Sequence, residues 1–284
     1  MEQCKITAIA NQKGGVGKTV TTFNLGVGLA KAGQRILLVD ADPQGSLTIS
    51  MGIKTPDDLD ITITSLMQAT VDDRLPPDGF GIIHSEEGVD LIPANIELAA
   101  FDVGLTSVLS REYVLRQTLE PLREQYDRIL IDCMPSLGMT TINALTAADS
   151  VIIPSQPSYL STKGLAQLMG TIAKVRRQLN PKLEIDGVLL TMVNNRTNNA
   201  KAIISSLRQM GDKLNVFEAE IPFSVRAAET SIEGKSIFEH DGREYPRRGH
   251  GRYPHQRPQR ASRLHLCHHS RPDRSRHLYG RRRL

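Results

Sequence analysis

The stretch "NQKGGVGKTVTT", residues 11 to 22, decides the fold of this chain. It places Gly14, Gly15 and Gly17 between two lysines, Lys13 and Lys18. Glycine permits positive φ and a close approach of the backbone to a ligand. The stretch follows "KITAIANQ", an apolar run typical of a buried strand, and opens "KTVTTFNLGVGLAKAG", whose apolar residues have helical spacing. A glycine-rich loop between a strand and a helix is the context of a phosphate-binding loop.

The loop predicts a site for a nucleoside triphosphate. Backbone N–H groups of its glycines, with the free N–H groups at the helix start, form an anion site. Lys18 can reach the β- and γ-phosphates, and the hydroxyl of Thr19 can bind Mg²⁺. Position 12 is Gln12, where the standard pattern has glycine. The candidate nucleotide-binding residues in the loop are Gly14, Gly15, Val16, Gly17, Lys18, Thr19 and Val20.

Up to Asp241 the chain alternates strand-like and helix-like segments. "RILLVDAD", "DRILIDC", "SVIIPSQ", "LEIDGVLLTMV" and "NVFEAEIP" are typical of strands, and "REYVLRQTLEPLREQY", "TTINALTAAD", "TKGLAQLMGTIAKVRRQL" and "NNAKAIISSLRQM" of helices. We expect Pro121 to interrupt or bend the first of these helices. "GIIHSEEGVDLIPAN" lacks a helix and suggests a local hairpin. The pattern predicts an α/β fold of the P-loop NTPase type, a doubly wound, mostly parallel sheet with helices on both faces.

The strand assignments make three aspartates candidate site residues. Asp132 ends an apolar strand, so its carboxylate is expected at the carboxyl edge of the sheet, beside the loop, where it can hold Mg²⁺ through water. Asp40 and Asp42 flank the end of the "ILLVDAD" strand. An aspartate at a strand end is more often a turn or capping residue. Beside a phosphate loop, we prefer a role at the nucleotide.

Three quoted motifs, "KGGVGKT", "LLVDADPQG" and "ILIDCMPSLG", together resemble the deviant Walker A ATPases of the ParA/MinD superfamily. The stretch from "PSLG" to "STKGLAQL" resembles the ParA/Soj branch. The resemblance runs from about Lys5 to Asp241, and it departs from the family at Met134, where proline is usual. It implies ATP and Mg²⁺ as cofactors and slow hydrolysis of ATP to ADP and phosphate.

The resemblance also implies roles for individual residues. Lys13 would act in trans, crossing a dimer interface to the ATP of the partner, and Lys13, Lys18 and Asp42 would form the catalytic group. Asp42 would orient the attacking water, and Asp40 would support the metal shell together with Thr19 and Asp132. A first switch segment would include Gln44 and Gly45, and a second would run from 136 to 138. Pro222 would contact the nucleotide, and Arg196 and Arg226 would bind DNA non-specifically.

By the same resemblance, the chain is expected to be a DNA-partition ATPase. ATP would drive formation of a homodimer that binds DNA, and a ParB-like protein would stimulate hydrolysis and release. The expected location is the cytoplasm, on the nucleoid. The alternatives are a MinD-like positioning ATPase at a membrane and a relative that amidates or delivers a metal or cofactor. A MinD-like protein needs a C-terminal amphipathic helix, and the tail here has almost no apolar periodicity. Relatives that amidate or deliver a metal usually add a substrate domain or a CxxC pair, and neither is visible.

Cysteines and apolar runs narrow the function classes. The three cysteines, Cys4, Cys133 and Cys267, are far apart and suggest neither a disulfide framework nor a metal pair. Iron–sulfur relatives hold a cluster at a dimer axis with two cysteines per chain, and here only Cys133 lies near a switch. We therefore interpret Cys133 as a small buried residue. No apolar run approaches the roughly 18 residues that span a bilayer, so no membrane association is expected.

The charge separates residues 1–241, the predicted ATPase domain, from residues 242–284. The second part holds 13 arginines, no lysine and two acidic residues, a net charge of +11, which leaves −7 for the first part. Its Arg, His and Pro composition predicts a tail without a packed core. The preferred interpretation is a reading-frame shift near Asp241. The alternative is a genuine basic arm that binds nucleic acid.

Overall fold

One sheet organises the part of the chain that the computed structural model describes, residues 4–194, 197–209, 214–224, 229–230 and 233–240. Its eight strands are β1 (Lys5–Ile9), β2 (Ile36–Ala41), β3 (Ile83–His84), β4 (Asp90–Ile92), β5 (Arg128–Cys133), β6 (Ser150–Ser155), β7 (Glu184–Val193) and β8 (Val216–Pro222). The helices are α1 (Lys18–Lys31), α2 (Ser46–Ser50), α3 (Ile63–Val71), α4 (Glu97–Gly104), α5 (Val114–Leu119), α6 (Met139–Ala147), α7 (Tyr159–Gln178), α8 (Asn198–Gln209) and α9 (Ile237–His240).

The strand order is β3-β4-β2-β5-β1-β6-β7-β8. All neighbours are parallel except β3 and β4, which form the predicted antiparallel hairpin. Strand β1 lies between β5 and β6, so the sheet extends in both directions from the strand that leads into the glycine loop. Parallel strands end at the same edge of a sheet, and this edge therefore gathers the loops after β1, β2, β5, β6 and β7. The predicted fold class is confirmed.

Apolar residues cover both faces of the sheet. Every residue of β2 is buried, as expected for a parallel strand with helices on both sides. One core cluster includes Ile6, Ile131 and Leu190, and a second, on the α1 side, includes Ile9 and Leu38. Burying such side chains contributes about 1.5–3 kcal/mol each, so this core holds the strand ends, and the loops that leave them, in fixed positions.

Two of the predicted helices have bounds in the structure that differ from those the sequence pattern predicts. The helix predicted from the segment around Pro121 is a short α5 flanked by 3₁₀ turns at Arg111–Tyr113 and Glu120–Leu122. Proline lacks an N–H and clashes with the preceding turn, so the α-helix ends before it. Helix α7 begins at Tyr159, earlier than predicted, because the side chain of Ser158 accepts a hydrogen bond from the backbone N–H of Ser161.

In the described ranges, every helix is too short or too polar to cross a membrane. The tail predicted for residues 242–284, which contains Cys267, lies outside the described residues. The last described segment, α9, packs on α1, where the ring of Phe238 contacts Gly28 and lies 5.9 Å from the ammonium of Lys31. The chain is thus anchored to the first helix immediately before the change in composition.

Candidate functional site

The glycine loop has the backbone conformation that its sequence predicts. Gly15 and Gly17 adopt φ of +68° and +83°, in the left-handed region that favours glycine. A Cβ at Gly15 would meet nothing within 4 Å, so the backbone angle alone requires glycine there. Gly17 is the N-cap of α1 and offers no side chain to the first N–H groups of the helix. These groups are therefore left for an anionic ligand.

Neighbouring strands hold the loop by its carbonyl groups. Thr191 Oγ1 donates to the carbonyl of Val16 at 2.8 Å, and Gln156 Nε2 donates to the carbonyl of Gly15 at 3.0 Å. The same amide lies 2.7 Å from the sulfur of Met192, a residue with a φ of +51°. A positive φ at a side-chain-bearing residue is uncommon and marks a constrained position. The ends of β6 and β7 thus fix the loop that follows β1.

Lys18, the first residue of α1, is buried near the carboxyl group of Asp132. Lys18 is 7% exposed, and its ammonium lies 3.5 Å from the carbonyl of Lys13. Burial lowers the pKa of Lys18, and the negative charge of Asp132 opposes this effect. A cation that is desolvated in this way gains more from a phosphate than an exposed lysine does, because the surrounding dielectric is lower.

Asp132 and Thr19 form the pair predicted to hold the metal. Thr19 Oγ1 donates to Asp132 Oδ2 at 2.7 Å, and Thr22 Oγ1 lies 3.3 Å from Asp132 Oδ1. The carboxyl of Asp132 is fully buried, which with the nearby charge of Asp40 raises its pKa to about 8. Hydroxyl and carboxylate oxygens are hard ligands that suit Mg²⁺, which keeps waters and phosphate oxygens in its remaining positions. The residues present therefore fit a magnesium ion.

Asp40 lies opposite Asp132 on the adjacent strand and holds the loop after β2. One carboxylate oxygen accepts from both the N–H and the hydroxyl of Thr48 at 2.8 Å, and the other accepts from the N–H of Asp42 at 3.1 Å. Complete burial raises the pKa of Asp40 to about 6. These contacts are those of a residue that positions the segment from 42 to 48, and a place in the metal shell stays a prediction.

Asp42 is buried, and its Oδ1 accepts from the N–H of Gln44 at 3.0 Å. The position of Asp42 immediately after β2 brings it to the same sheet edge as Asp132. Its predicted role toward water stays a prediction.

Lys13 lies in a polar cradle within its own chain. We define the cradle as Gln156, Ser158 and Ser161, whose side-chain oxygens lie 3.3, 3.4 and 3.2 Å from the ammonium of Lys13. Ser158 and Ser161 lie at the N-terminus of α7, where the helix dipole disfavours a cation. Neutral oxygens at long hydrogen-bonding distances therefore hold Lys13 in a place from which a negatively charged group can attract it.

The other predicted residues make no hydrogen bond to the phosphate loop or to the Thr19–Asp132 pair within the described part of the chain, or lie outside it. Pro222 ends β8 opposite Val193 at the same sheet edge, next to Phe223, a residue that is 66% exposed. Cys133 is buried, and burial raises its pKa. Within the described ranges, no cluster of three His, Cys, Asp or Glu side chains could hold a metal ion. The predicted DNA-binding residues, Arg196 and Arg226, lie outside the described residues.

Sequence reasoning missed the cradle residues and the contact of Met192 with Gln156. The available signal was the polar run "SQPS" directly after a buried strand, because polar side chains at a strand end share the sheet edge with the phosphate loop. Nothing in the sequence indicated the positive φ of Met192.

Comparisons with known proteins identify relatives of this chain. The AAA_31 family model, described as an AAA domain, matches residues 4–185. The chain is 46% identical over 242 residues to the sporulation initiation inhibitor protein Soj of Bacillus subtilis, covering 84% of this chain and 92% of that protein. It is 42% identical over 246 residues to the chromosome partitioning protein ParA of Caulobacter vibrioides, covering 84% and 87%.

Among solved structures, the chain is similar to cobyrinic acid a,c-diamide synthase from Mycobacterium smegmatis with bound ADP and magnesium. The TM-score is 0.72 at 36% identity, and the match covers 86% of this chain and 98% of that one.

Proposed function

The chain belongs to the Soj/ParA family of chromosome-partitioning proteins, and from this premise we propose that it is an ATP-dependent DNA-partition ATPase. The observation that carries the proposal is the coincidence of two lysines with a Thr19–Asp132 pair on one loop and sheet edge. This arrangement suits a triphosphate with its metal. The similar M. smegmatis structure, with ADP and magnesium, supports the same ligands here.

Each residue has a distinct part in ATP binding. The left-handed glycines and the start of α1 present N–H groups to the phosphates, and Lys18 supplies the buried positive charge. Thr19 and Asp132 would hold Mg²⁺, which neutralises phosphate charge and orients the triphosphate. For this, Asp132 gives up the proton that burial favours, so metal binding is coupled to proton release.

Lys13 and Asp42 provide the switch. Lys13 leaves the cradle and contacts the triphosphate bound by a second copy, so that binding of ATP and formation of a dimer become linked. Asp42 orients water for hydrolysis, and Asp40 keeps the segment that carries Asp42 in place through Thr48. Hydrolysis removes the charge that attracts Lys13, and the dimer separates.

DNA is the proposed target of the dimer, and a ParB-like protein is the proposed stimulating partner. The similarity to Soj and ParA over most of their lengths supports both. Arg196 and Arg226 would contact phosphates, and the exposed Lys174, Arg176 and Arg177 of α7 would enlarge the basic face. Phosphate contacts carry no sequence information, so binding would be independent of sequence and would place the protein on the nucleoid.

The experiment is co-sedimentation with DNA of unrelated sequences in ATP, in ADP and without nucleotide. We expect retention in ATP only, equal for all sequences and falling steeply with salt. Arg196→Glu and Arg226→Glu should weaken it uniformly. Retention that is independent of nucleotide, or that depends on sequence, would count against the proposal.

A second candidate, an amidating enzyme, is favoured by the 36% identity to the M. smegmatis synthase. The two functions differ in what stimulates ATP turnover. A partition ATPase responds to DNA and its protein partner, whereas an amidating enzyme responds to cobyrinic acid with a nitrogen donor. If cobyrinic acid with a nitrogen donor stimulates ATP turnover and DNA does not, the amidating function replaces our proposal.

A further inference from the structure

We infer that Asp102 of α4 is a positioning residue for ATP hydrolysis, acting through the loop of residues 134–138 between β5 and α6. The inference rests on the proposed function for its consequence and on the contacts of Asp102 for its mechanism. Asp102 is half-buried and lies on an element remote in sequence from every residue predicted to touch the nucleotide.

Asp102 takes the place of a missing cap at the start of α6. The N-cap residue of this helix, Gly138, has no side chain. Asp102 Oδ1 instead accepts from both the backbone N–H and the hydroxyl of Thr140, at 2.5 Å each. A carboxylate at a helix N-terminus satisfies an N–H group that the helix itself leaves unpaired and interacts favourably with the dipole.

The loop is folded tightly against this carboxylate. A Cβ placed on Gly138 would lie 3.0 Å from Asp102 Oδ2, so glycine allows the close approach. Within the loop, the N–H of Gly138 donates to Ser136 Oγ at 3.2 Å, and Thr141 Oγ1 donates to the carbonyl of Ser136 at 2.9 Å. Asp102 is therefore the one contact among these that comes from outside the loop and α6.

The other end of the loop adjoins the phosphate site. Residue 132, at the end of β5, is the predicted metal carboxylate, and the loop begins two residues later. A Cβ placed on Gly14 of the phosphate loop would lie 3.9 Å from the Cβ of Pro135. A shift of the 134–138 backbone would therefore change the surroundings of the phosphates. The two hydrogen bonds from Thr140 to Asp102, which we call the clamp, oppose such a shift.

We expect the clamp to affect turnover and not nucleotide affinity. The glycine loop and Lys18 lie between β1 and the first turn of α1, whereas the hydrogen bonds of Asp102 go to Thr140 of α6. We therefore expect the position of the 134–138 loop to matter for hydrolysis more than for binding. Misplacement of a positioned segment by about 1 Å can cost roughly 100-fold in rate. Asp102→Ala should therefore lower ATP turnover by between about 10- and 100-fold. The Kd for a non-hydrolysable ATP analogue should change less than about twofold, since binding is unaffected.

Two variants separate positioning from loss of stability. Asp102→Asn keeps an oxygen that can accept from both groups of Thr140 and should restore most of the turnover. Asp127→Ala is the matched control. That carboxylate also accepts from a distant backbone N–H, of Arg35 at 2.8 Å, but at the opposite edge of the sheet. It should lower Tm without changing turnover.

Hydrogen exchange tests the clamp without any hydrolysis. In the nucleotide-free protein, Asp102→Ala should speed exchange in the peptide covering residues 134–142 and leave β5 unchanged. Faster exchange with normal turnover would overturn the positioning role, and unchanged exchange would overturn the clamp. A wild-type protein that does not hydrolyse ATP would contradict the proposed function, and the exchange result would still decide on the clamp. An equal fall of affinity and turnover would also overturn the inference.

Discussion

At the scale of single residues, two buried carboxyl groups destabilise the site when no ligand is bound. Asp40 and Asp132 face each other on adjacent strands, and both are completely buried. Burial raises the pKa of Asp132 to about 8 and that of Asp40 to about 6. The nucleotide-free protein thus carries an unfavourable pair of acids at neutral pH, which a bound cation would relieve. Functional sites often keep destabilising groups of this kind, because activity requires them.

Replacement of Asp132 by asparagine tests this cost through its pH dependence. Asp132 keeps its proton to about pH 8 in the folded protein, whereas an unfolded aspartate loses it near pH 4. The folded state binds more protons in this interval, so the free energy of unfolding falls as pH rises through it. Asp132→Asn removes that slope, and its amide can still bond the hydroxyls of Thr19 and Thr22.

Urea unfolding without nucleotide should show similar stabilities of the two proteins at pH 5. At pH 9 the variant should be the more stable by on the order of 1–3 kcal/mol. It should also lose the Mg²⁺-dependent part of ATP binding. Parallel stability curves from pH 5 to 9 would show that Asp132 is ionised in the folded protein throughout.

At the scale of elements, the sequence predicted those with a strong apolar pattern and missed the short ones. Strands such as "RILLVDAD" and "DRILIDC" are continuous apolar runs and became β2 and β5. Helices α2, α3 and α4 were not predicted. Two of them have eight residues or fewer, which is too short for a clear helical period in the sequence.

The candidate site was likewise predicted only in part from the sequence. Lys18, Thr19 and the glycines could be assigned because a contiguous motif carries them. The Lys13 cradle and the role of Asp102 could not, because they depend on which strand and helix ends meet at one edge of the sheet. Sequence order does not reveal those meetings without the topology.

Helix α9 gives a prediction about an element. Phe238 is half-buried against Gly28 of α1 and lies over Lys31, while its neighbour Ile237 is exposed. Phe238→Ala should therefore reduce stability by roughly 1–3 kcal/mol, below the range for a fully buried phenylalanine. Ile237→Ala, the matched control, should change it by less than about 0.5 kcal/mol. Thermal unfolding of both variants measures the two effects. Equal losses of stability would mean that the packing of α9 on α1 does not depend on Phe238.

At the scale of the whole molecule, the charge distribution raises the question of the tail. Residues 242–284 carry +11 and the preceding 241 residues −7. The matches to Soj and ParA each cover 84% of the chain, nearly the share that residues 1 to 241 make up. This share fits an ATPase domain that ends near Asp241, and it does not distinguish the reading-frame shift that we propose from a genuine basic arm.

Deletion of residues 242–284 tests that proposal. We expect ATP-dependent DNA retention of the shortened chain to stay within about threefold of the full chain at physiological salt, since the phosphate contacts proposed for the dimer lie before the tail. Resequencing the coding DNA should reveal an inserted or deleted base near codon 241. An intact frame together with a large loss of DNA affinity would make the tail a genuine nucleic-acid arm.

The central claim is that ATP converts this chain from a monomer to a dimer through Lys13. The most direct measurement is the molar mass by light scattering during gel filtration, without nucleotide, in ADP and in ATP with Mg²⁺. We predict that the mass doubles in ATP only, that Asp42→Ala stays dimeric for longer, and that Lys13→Ala binds ATP and remains a monomer. Lys18→Ala should fail to bind ATP. A Lys13→Ala protein that dimerises with ATP as the wild type does would contradict the account.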